Sequence, residues 1–458
     1  MLKRLIKSPL FWYAVWVGIS AASVRANPIP APPSPDFAMP VPDAPPTVAE
    51  GDRLTLRQAV TIGLRDNPQS AYARYTVDSA RENLTSQRAP INPTLQYSGL
   101  NNTVASATNV TNPANYVAYV TLETNGAQRW RASQAREQVH QAQADADTTR
   151  LSLKENIVSA YVALQIADKA LGIEQEVYEN VRQLSYLTSK RFEIGASPRA
   201  DSVRASIALV QEQQNVLTDT TNILIARATL NSVLGRAPLH PVDVSEPLDY
   251  RPIALPDIAA LVRMAEENRP EIRSAVFNGR SLRALEKLEN SNYLPDLILG
   301  RDFEKHGSVQ VGAVLPLDLG SIHGAVRKTR ADIQAQEAQA VIQRQNVLLD
   351  VQNSYTSLVS ARQQVESYKN GILRESESLL SQTKQGYTLG AGTILDLLTA
   401  ETTYRSTLTA YYVAVGNYRQ AVYVLEHAIA APLASVADSP SIELPRNDPA
   451  VVLPPDKP

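Results

Sequence analysis

A long stretch in the first half of this chain lacks helix breakers. Residues 127–194 contain no proline and a single glycine, Gly172. A continuous helix over this range would span roughly 100 Å at about 1.5 Å per residue, far more than a globular domain needs. The chain then turns at Gly195 and Pro198 and continues without proline to 234. The sequence therefore predicts a long helical hairpin at 127–234.

The same plan recurs in the second half of the chain. The segment Phe192–Ala196, followed by Asp201, matches the segment Tyr387–Ala391, followed by Asp396, in residue order and spacing. Ordered similarity of this kind within one chain indicates a tandem duplication. We therefore expect a second long helical hairpin at 322–430.

Each long hairpin is preceded by a shorter helix and by β-prone runs. Periodicity and helix breakers predict the shorter helices over about 55–91 and about 256–293. The loops that separate the β-prone runs are rich in Asn, Thr and Gly, which is typical of hairpin connections. The runs lie at 94–98, 116–122, 296–299 and 309–315 and predict β-hairpins at 94–122 and 296–318.

The long helices carry seams with steps of three and four residues. This heptad spacing indicates coiled-coil packing, in which small residues let neighbouring helices approach closely and tyrosines tolerate wet surroundings. One seam consists of Ala132, Ala135, Val139, Ala142, Ala146, Thr149 and Leu153. The other consists of Leu397, Glu401, Tyr404, Leu408, Tyr411, Val415, Tyr418, Val422, Leu425 and Ile429. Such helices suit a wall better than the core of a globular domain.

The N-terminus follows the plan of a secretory signal peptide. Basic residues precede the apolar run Leu10–Ile19, and Val24 and Ala26 suit the −3 and −1 sites of a signal peptidase. The sequence predicts a signal peptide at 1–26, a Pro-rich arm at 27–51 and a Pro-rich tail at 431–458. The chain has no cysteine, which excludes a lipobox lipid anchor, disulfides and thiol chemistry.

Several classes of function find no support in the sequence. The net charge is −2 and the basic residues are dispersed, so nucleic acid has no basic footprint to bind. The five histidines lack the spacing of a zinc site, and no P-loop or nucleophile motif occurs. We expect no enzyme activity, no metal site and no cofactor. No segment after the N-terminus is apolar for long enough to form a membrane helix, so a membrane form would need β-strands.

Two exported halves, each built from a helix, a β-hairpin and a long helical hairpin, resemble the TolC family of outer-membrane efflux proteins. The resemblance covers about residues 52–430, as a first repeat at 52–250 and a second at 251–430. Its motifs are Leu56–Val60 leading to Asn67-Pro68, the run Val314–Gly320, and the duplicated glycine turns. Each motif is weak alone, but their order and duplication make the match specific.

The resemblance implies a mostly helical fold with a membrane β-barrel portion. In this family, three subunits contribute four strands each to one 12-stranded barrel in the outer membrane, above a trimeric α-helical barrel that crosses the periplasm. Four strands alone would leave two open edges in lipid, so closure by oligomerisation is also physically required. The implied partners are two further copies of the chain, outer-membrane lipid, a periplasmic adaptor protein and an inner-membrane pump.

The resemblance also places a periplasmic gate at the two glycine turns, Gly195 and Gly390. The corresponding gate residues are Asp201, Tyr387 and Asp396, and a ring of three Asp396 carboxylates would attract cations. The chain departs from the family pattern at two positions. Thr399 replaces a second aperture aspartate and Gly392 replaces a bracing arginine.

A simpler interpretation of the two aspartates is that each one caps the helix that follows its turn. For the whole protein, the main hypothesis is a passive exit duct of a tripartite efflux or secretion system of a Gram-negative bacterium. The alternatives are an outer-membrane component of type I protein secretion and a periplasmic coiled-coil protein that forms no pore. Duplicated amphipathic hairpins argue against the last of these.

Overall fold

The computed structural model describes residues 53–89, 94–98, 115–255, 257–302, 309–314 and 317–433. The predicted signal peptide, the N-terminal arm at 27–51 and residues 434–458 of the predicted tail lie outside this part of the chain. The described residues form helices and strands in the same order in both halves.

In the first half, three strands and two shorter helices precede a pair of long helices. These elements are β1 (Arg53–Leu54), α1 (Leu56–Asp66), α2 (Pro68–Arg88), β2 (Thr94–Ser98), β3 (Asn115–Leu122), α3 (Ala127–Glu193) and α4 (Arg199–Leu234). The second half repeats the plan after a short strand. Its elements are β4 (Asp243–Val244), α5 (Ile258–Asn268), α6 (Pro270–Ser291), β5 (Asp296–Asp302), β6 (Val309–Val314), α7 (Leu319–Ser367), α8 (Leu373–Thr388) and α9 (Ile394–Ile429).

The predicted first helix of each half is in fact two helices. The residue before proline is pushed out of the helical region, and both Asn67 (ψ 131°) and Arg269 (ψ 121°) are extended. Pro68 and Pro270 then occupy the first turn of α2 and α6, where a missing N–H costs nothing. The sequence-based prediction of single helices over 55–91 and 256–293 is therefore wrong.

The four longer strands form one antiparallel sheet in the order β2-β3-β5-β6. The central pair joins the two halves of the chain, with Tyr119 opposite Gly300 and Thr121 opposite Ile298. β2 and β6 are the outer strands. The strand positions lie within a few residues of the β-prone runs in the sequence.

The long helices differ between the two halves. α3 runs for 67 residues without a break, and a Cβ added at Gly172 would meet no atom within 4 Å. Its counterpart in the second half begins at Leu319, because Asp318 Oδ1 accepts a hydrogen bond from Ser321 N. That helix is interrupted by a π-helical turn, Tyr368–Ile372, between α7 and α8. No proline lies near this turn, so the sequence does not predict the interruption.

Two apolar clusters hold the shorter helices against the long ones. The first joins α1, α3 and α4 around Leu56, Tyr161 and Leu230, and the Tyr161 hydroxyl donates to Leu54 O at 2.9 Å. The second joins α5, α7 and α9 around residues such as Leu358 and Leu425. Both predicted heptad seams contribute buried residues to the helix contacts, among them Ala135, Val139, Ala146, Leu153, Leu397, Val415, Tyr418, Leu425 and Ile429.

Candidate functional site

The first glycine turn ends α3 with a left-handed residue. Gly195 has φ 75°, a conformation that costs a residue with a Cβ about 1–2 kcal/mol. Its N–H donates to Phe192 O at 2.9 Å, and Ala196 N donates to Arg191 O at 2.8 Å. These bonds satisfy carbonyl groups that the end of a helix leaves without partners.

The second turn reproduces the first bond by bond. Gly390 has φ 77°, its N–H donates to Tyr387 O at 3.2 Å, and Ala391 N donates to Gly386 O at 2.9 Å. Gly392 also lies close to the helix end, where an added Cβ would stand 3.2 Å from Tyr387 N. A side chain at this position would press on the helix backbone, so the turn is built around the glycine.

Asp396 is part of a capping box at the start of α9. Thr393 Oγ1 accepts a hydrogen bond from Asp396 N at 3.2 Å and donates to Asp396 Oδ2 at 2.7 Å, while Thr393 N donates to the same carboxylate at 3.2 Å. The Thr393 side-chain hydrogen bond lowers the pKa of Asp396, so this exposed carboxylate is charged at neutral pH. Within one subunit, the capping interpretation of Asp396 is therefore supported.

Asp201 lies in the first turn of α4 without a full capping box. The residue at the helix start is Pro198, which has no side-chain donor or acceptor. Ser197 Oγ donates to Asp201 Oδ2 at 3.3 Å, and Arg204 contacts Oδ1 at 3.4 Å. The two aspartates thus hold equivalent backbone positions but make different contacts.

Tyr387 contacts the first hairpin through Arg191, not through Asp201. The Arg191 guanidinium lies 5.3 Å from the centre of the Tyr387 ring, a cation–π distance between the ends of α8 and α3. The hydrogen bonds of the described residues of this single chain include none between Asp201 and Tyr387. The structure therefore brings the two hairpin ends together through a pair that the sequence did not identify.

Three further polar side-chain pairs tie the second half to the first, and the sequence did not point to the partners in them. Arg419 Nη2 lies 2.6 Å from Glu246 Oε2, and Glu155 pairs with His427. Arg405 Nη1 lies 2.9 Å from Glu174 Oε1. The only signal in the sequence was Arg405 itself, the one basic residue of α9 before Arg419.

The family model of the outer membrane efflux protein matches two separate segments, residues 63–236 and 261–431. Together they cover most of the chain. The chain belongs to the outer membrane efflux protein family. The family resemblance read from the sequence is thereby confirmed, and the two matched segments fall one in each half of the duplication.

Relatives of this outer membrane efflux protein agree with that assignment. The cobalt-zinc-cadmium resistance protein CzcC of Cupriavidus metallidurans is 22% identical over 388 residues, which cover 82% of this chain and 90% of the relative. The outer-membrane channel OprN has the same fold with a TM-score of 0.70 at 21% identity, over 82% of this chain and 89% of OprN. The CmeC outer membrane channel of Campylobacter jejuni has a TM-score of 0.71 at 15% identity, over 82% of this chain and 85% of CmeC.

The described residues of this outer membrane efflux protein include neither a membrane helix nor a cluster of metal ligands. None of its helices combines the length and apolar character that crossing a membrane requires. Nor do its His, Asp and Glu side chains gather anywhere in groups of three or more that could hold a metal ion.

Proposed function

We propose that the chain forms a homotrimeric channel in the outer membrane of a Gram-negative bacterium. It would serve as the passive exit duct of a tripartite efflux system, with a periplasmic adaptor protein and an inner-membrane pump as partners. Family membership supports the outer-membrane location and the efflux role. The trimer, the barrel and the partners are inferred from the resemblance and from the sheet.

The observation that carries the proposal is an apolar face on strands β5 and β6. Leu297 and Leu299 are exposed on β5, and opposite them on β6 lie Ala313 and Val311, of which Val311 is 70% exposed. Exposed apolar side chains that alternate with residues of the other face are the pattern of a strand with lipid on one side. A sheet in water would bury such a face.

The sheet supports closure by copies of the same chain. β2 and β6 each have a neighbour on one side only within the described residues. In lipid, unpaired backbone N–H and C=O groups cost several kcal/mol each, so both edges need a partner strand. The β6 edge of one subunit would pair with the β2 edge of the next, and three subunits would close the ring.

A lysine scan of one strand tests the lipid-facing assignment. Leu299→Lys places a charge on the proposed lipid face, at a cost of about 2–4 kcal/mol per subunit near the bilayer centre. Ile298→Lys is the matched control, because it lies on the other face of the same strand. We expect Leu299→Lys to abolish outer-membrane trimers in fractionated cells and Ile298→Lys to preserve them. Equal effects of the two variants, or a soluble monomer for the unaltered chain, would contradict the proposal.

The glycine turns would form the periplasmic gate of this duct. Three Asp396 carboxylates around one axis would attract multivalent cations, so Asp396→Ala should weaken block by such cations. Asp201→Ala removes the carboxylate that Ser197 and Arg204 contact, and Tyr387→Leu removes the ring on which Arg191 stacks, so each variant should loosen its turn and raise the basal conductance. Single-channel recording in planar bilayers measures both effects. Lower thermal stability with unchanged conductance and block in all three variants would leave the aspartates as helix caps.

A further inference from the structure

A buried ionic cluster joins the second helical hairpin to the first at some distance from the glycine turns. Arg405 on α9 contacts Glu174 on α3 through its Nη1, at 2.9 Å from Oε1 and 3.2 Å from Oε2. The same nitrogen lies 3.5 Å from Glu212 Oε2 on α4. One arginine thus binds both helices of the first hairpin.

The cluster is shielded from water and only partly balanced. The side chains of Arg405, Glu174 and Glu212 are 19%, 10% and 11% exposed. Arg405 Nε is buried without a hydrogen-bond partner among the described residues. Burial raises the pKa of Glu174, although the Arg405 charge opposes that shift. A buried pair of this kind contributes little net stability, but removal of one partner leaves an uncompensated charge.

The cluster lines a cleft that also reaches the π-helical turn. The cleft has a volume of about 490 Å³, and its lining includes Glu174, Arg405, Gln364 and Tyr368, the first residue of that turn. π-turns inside helices are frequent at functional sites. Beyond the turn, α8 has one buried residue, Ser376, whereas α3 buries Ile173, Val177 and Val181. α8 itself is therefore less buried than the matching part of α3.

No equivalent cluster links the matching residues of the two halves with their roles exchanged. The positions of the second half that match Glu174 and Glu212 are Lys369 and Thr407, and the position of the first half that matches Arg405 is Val210. A contact that the duplication alone produced would exist in both halves. This one runs only from the second hairpin to the first, which points to a role specific to the second hairpin.

We propose that Arg405 is a latch, which positions the α8–α9 hairpin against α3 and α4 and thereby holds the duct closed. The proposal rests on the proposed channel function. Release of Arg405 from Glu174 and Glu212 would let the second hairpin move away at the level of the cleft and the π-turn. Glu174 and Arg405 would therefore control conductance although neither lies at the glycine turns.

The test is single-channel recording of the full chain in planar bilayers. Glu174→Gln keeps the shape of the side chain and removes its charge, and Arg405→Met removes the cation. We expect either variant to raise the ratio of open to closed times at least about tenfold, as the loss of a charged hydrogen bond implies. The matched control is Glu179→Gln on the same helix, which loses an exposed ion pair with Arg182 and should conduct like the unaltered chain.

A thiol crosslink separates a latch from a general loss of structure. The chain has no native cysteine, so Asn180→Cys with Glu401→Cys gives a unique bridging site between α3 and α9, where the two native side chains lie 3.3 Å apart. In the Glu174→Gln background, a short reducible bis-thiol crosslinker should restore the low conductance, and reduction should reverse that effect. Channel activity of the unaltered chain tests the proposed function separately.

Three results would overturn the latch while leaving the channel in place. The first is conductance of Glu174→Gln and Arg405→Met equal to that of Glu179→Gln. The second is high conductance that the crosslink does not lower. The third is failure of Glu174→Gln to assemble as a trimer, which would make the cluster an element of folding.

Discussion

In both halves of the chain, the long helix ends in the same backbone turn. The side chains that stabilise the start of the following helix differ between the halves. The turns at Gly195 and Gly390 share φ values within 2° and the same backbone hydrogen bonds. The helix start after the first turn has Pro198, whereas the second has the Thr393 capping box. The duplication therefore kept the backbone geometry of the hairpin, while the side chains that secure each hairpin diverged.

The far ends of the returning helices show the same contrast. α4 ends at Gly235 (φ 77°) and α9 ends at Ala430 (φ 50°), so both cap residues are left-handed. At Gly235 an added Cβ would lie 2.7 Å from Asp66 O and 2.9 Å from Asn67 Cα. The second half accommodates a methyl group at the equivalent place. The first half therefore needs glycine at position 235 because a side chain would not fit there. The second half has an alanine at position 430 in a strained left-handed conformation.

The largest effect that this comparison predicts is that of Gly235→Ala. The new methyl group would collide with backbone atoms that cannot rotate away, and the left-handed conformation adds its own cost. We expect a loss of about 2–4 kcal/mol in the free energy of unfolding. Denaturant unfolding of the detergent-solubilised protein measures this. A loss below that of the Thr393→Val variant would show that the α1–α2 junction moves aside.

The next effect concerns the cap that only the second hairpin has. Thr393→Val removes the hydroxyl that bonds both Asp396 N and the Asp396 carboxylate. We expect it to cost about 1 kcal/mol of stability, a typical value for a lost cap. Ser197→Ala is the control in the first hairpin and should cost less, because only the 3.3 Å contact with Asp201 is lost. Equal decreases in Tm for Thr393→Val and Ser197→Ala would show that the two hairpins are capped equally well, which would contradict the prediction.

The capping box also predicts a dependence on pH. The pKa of Asp396 is lowered in the folded protein by the Thr393 hydrogen bond, so the stability it contributes is present above the ordinary value of 3.8. That contribution is lost as the pH falls through the lower, folded-state pKa. The difference in Tm between the unaltered chain and Thr393→Val should therefore shrink below pH 3.8. A difference that grows on acidification would contradict this assignment.

The smallest predicted effect is a gain in the free energy of unfolding. Ala430→Gly relieves the left-handed strain at the end of α9 but also frees the unfolded chain, so the two terms partly cancel. We expect stabilisation of about 0.5–1 kcal/mol, opposite in sign to Gly235→Ala. The comparison of the two variants in one unfolding experiment is internally controlled. Destabilisation by Ala430→Gly would show that the methyl group makes contacts that outweigh the strain.

Much of the fold could be predicted because its signals are local. Glycine turns, strand runs and a proline-free stretch can be read from neighbouring residues, and β3, α3 and the turns at Gly195 and Gly390 lie close to where the sequence puts them. The breaks at Asn67 and Arg269 were missed, since the helical periodicity on both sides outweighed the proline signal. Each proline is itself the first residue of the next helix, so the helical pattern resumes directly after the break and the break is hard to recognise in the sequence.

The contacts between the two hairpins could not be predicted in the same way. Arg405 and Glu174 are 231 positions apart, and nothing in the heptad pattern selects one glutamate among many as the partner. Arg191 stacks on Tyr387 for the same non-local reason. The π-turn at Tyr368–Ile372 contains a glycine, Gly371, but a glycine alone does not predict such a turn. Gly172 also lies within a long helix, α3, and that helix continues without interruption.

We propose that the two unequally secured hairpins of each subunit build a duct that is closed at rest. Single-channel recording of the purified, unaltered full chain in planar bilayers tests it most directly, with the number of subunits in the inserted species determined by crosslinking. We expect trimers with discrete conductance steps and mostly closed records. Trimers inserted in the bilayer that show no conductance steps, or steps produced by a species other than a trimer, would contradict it.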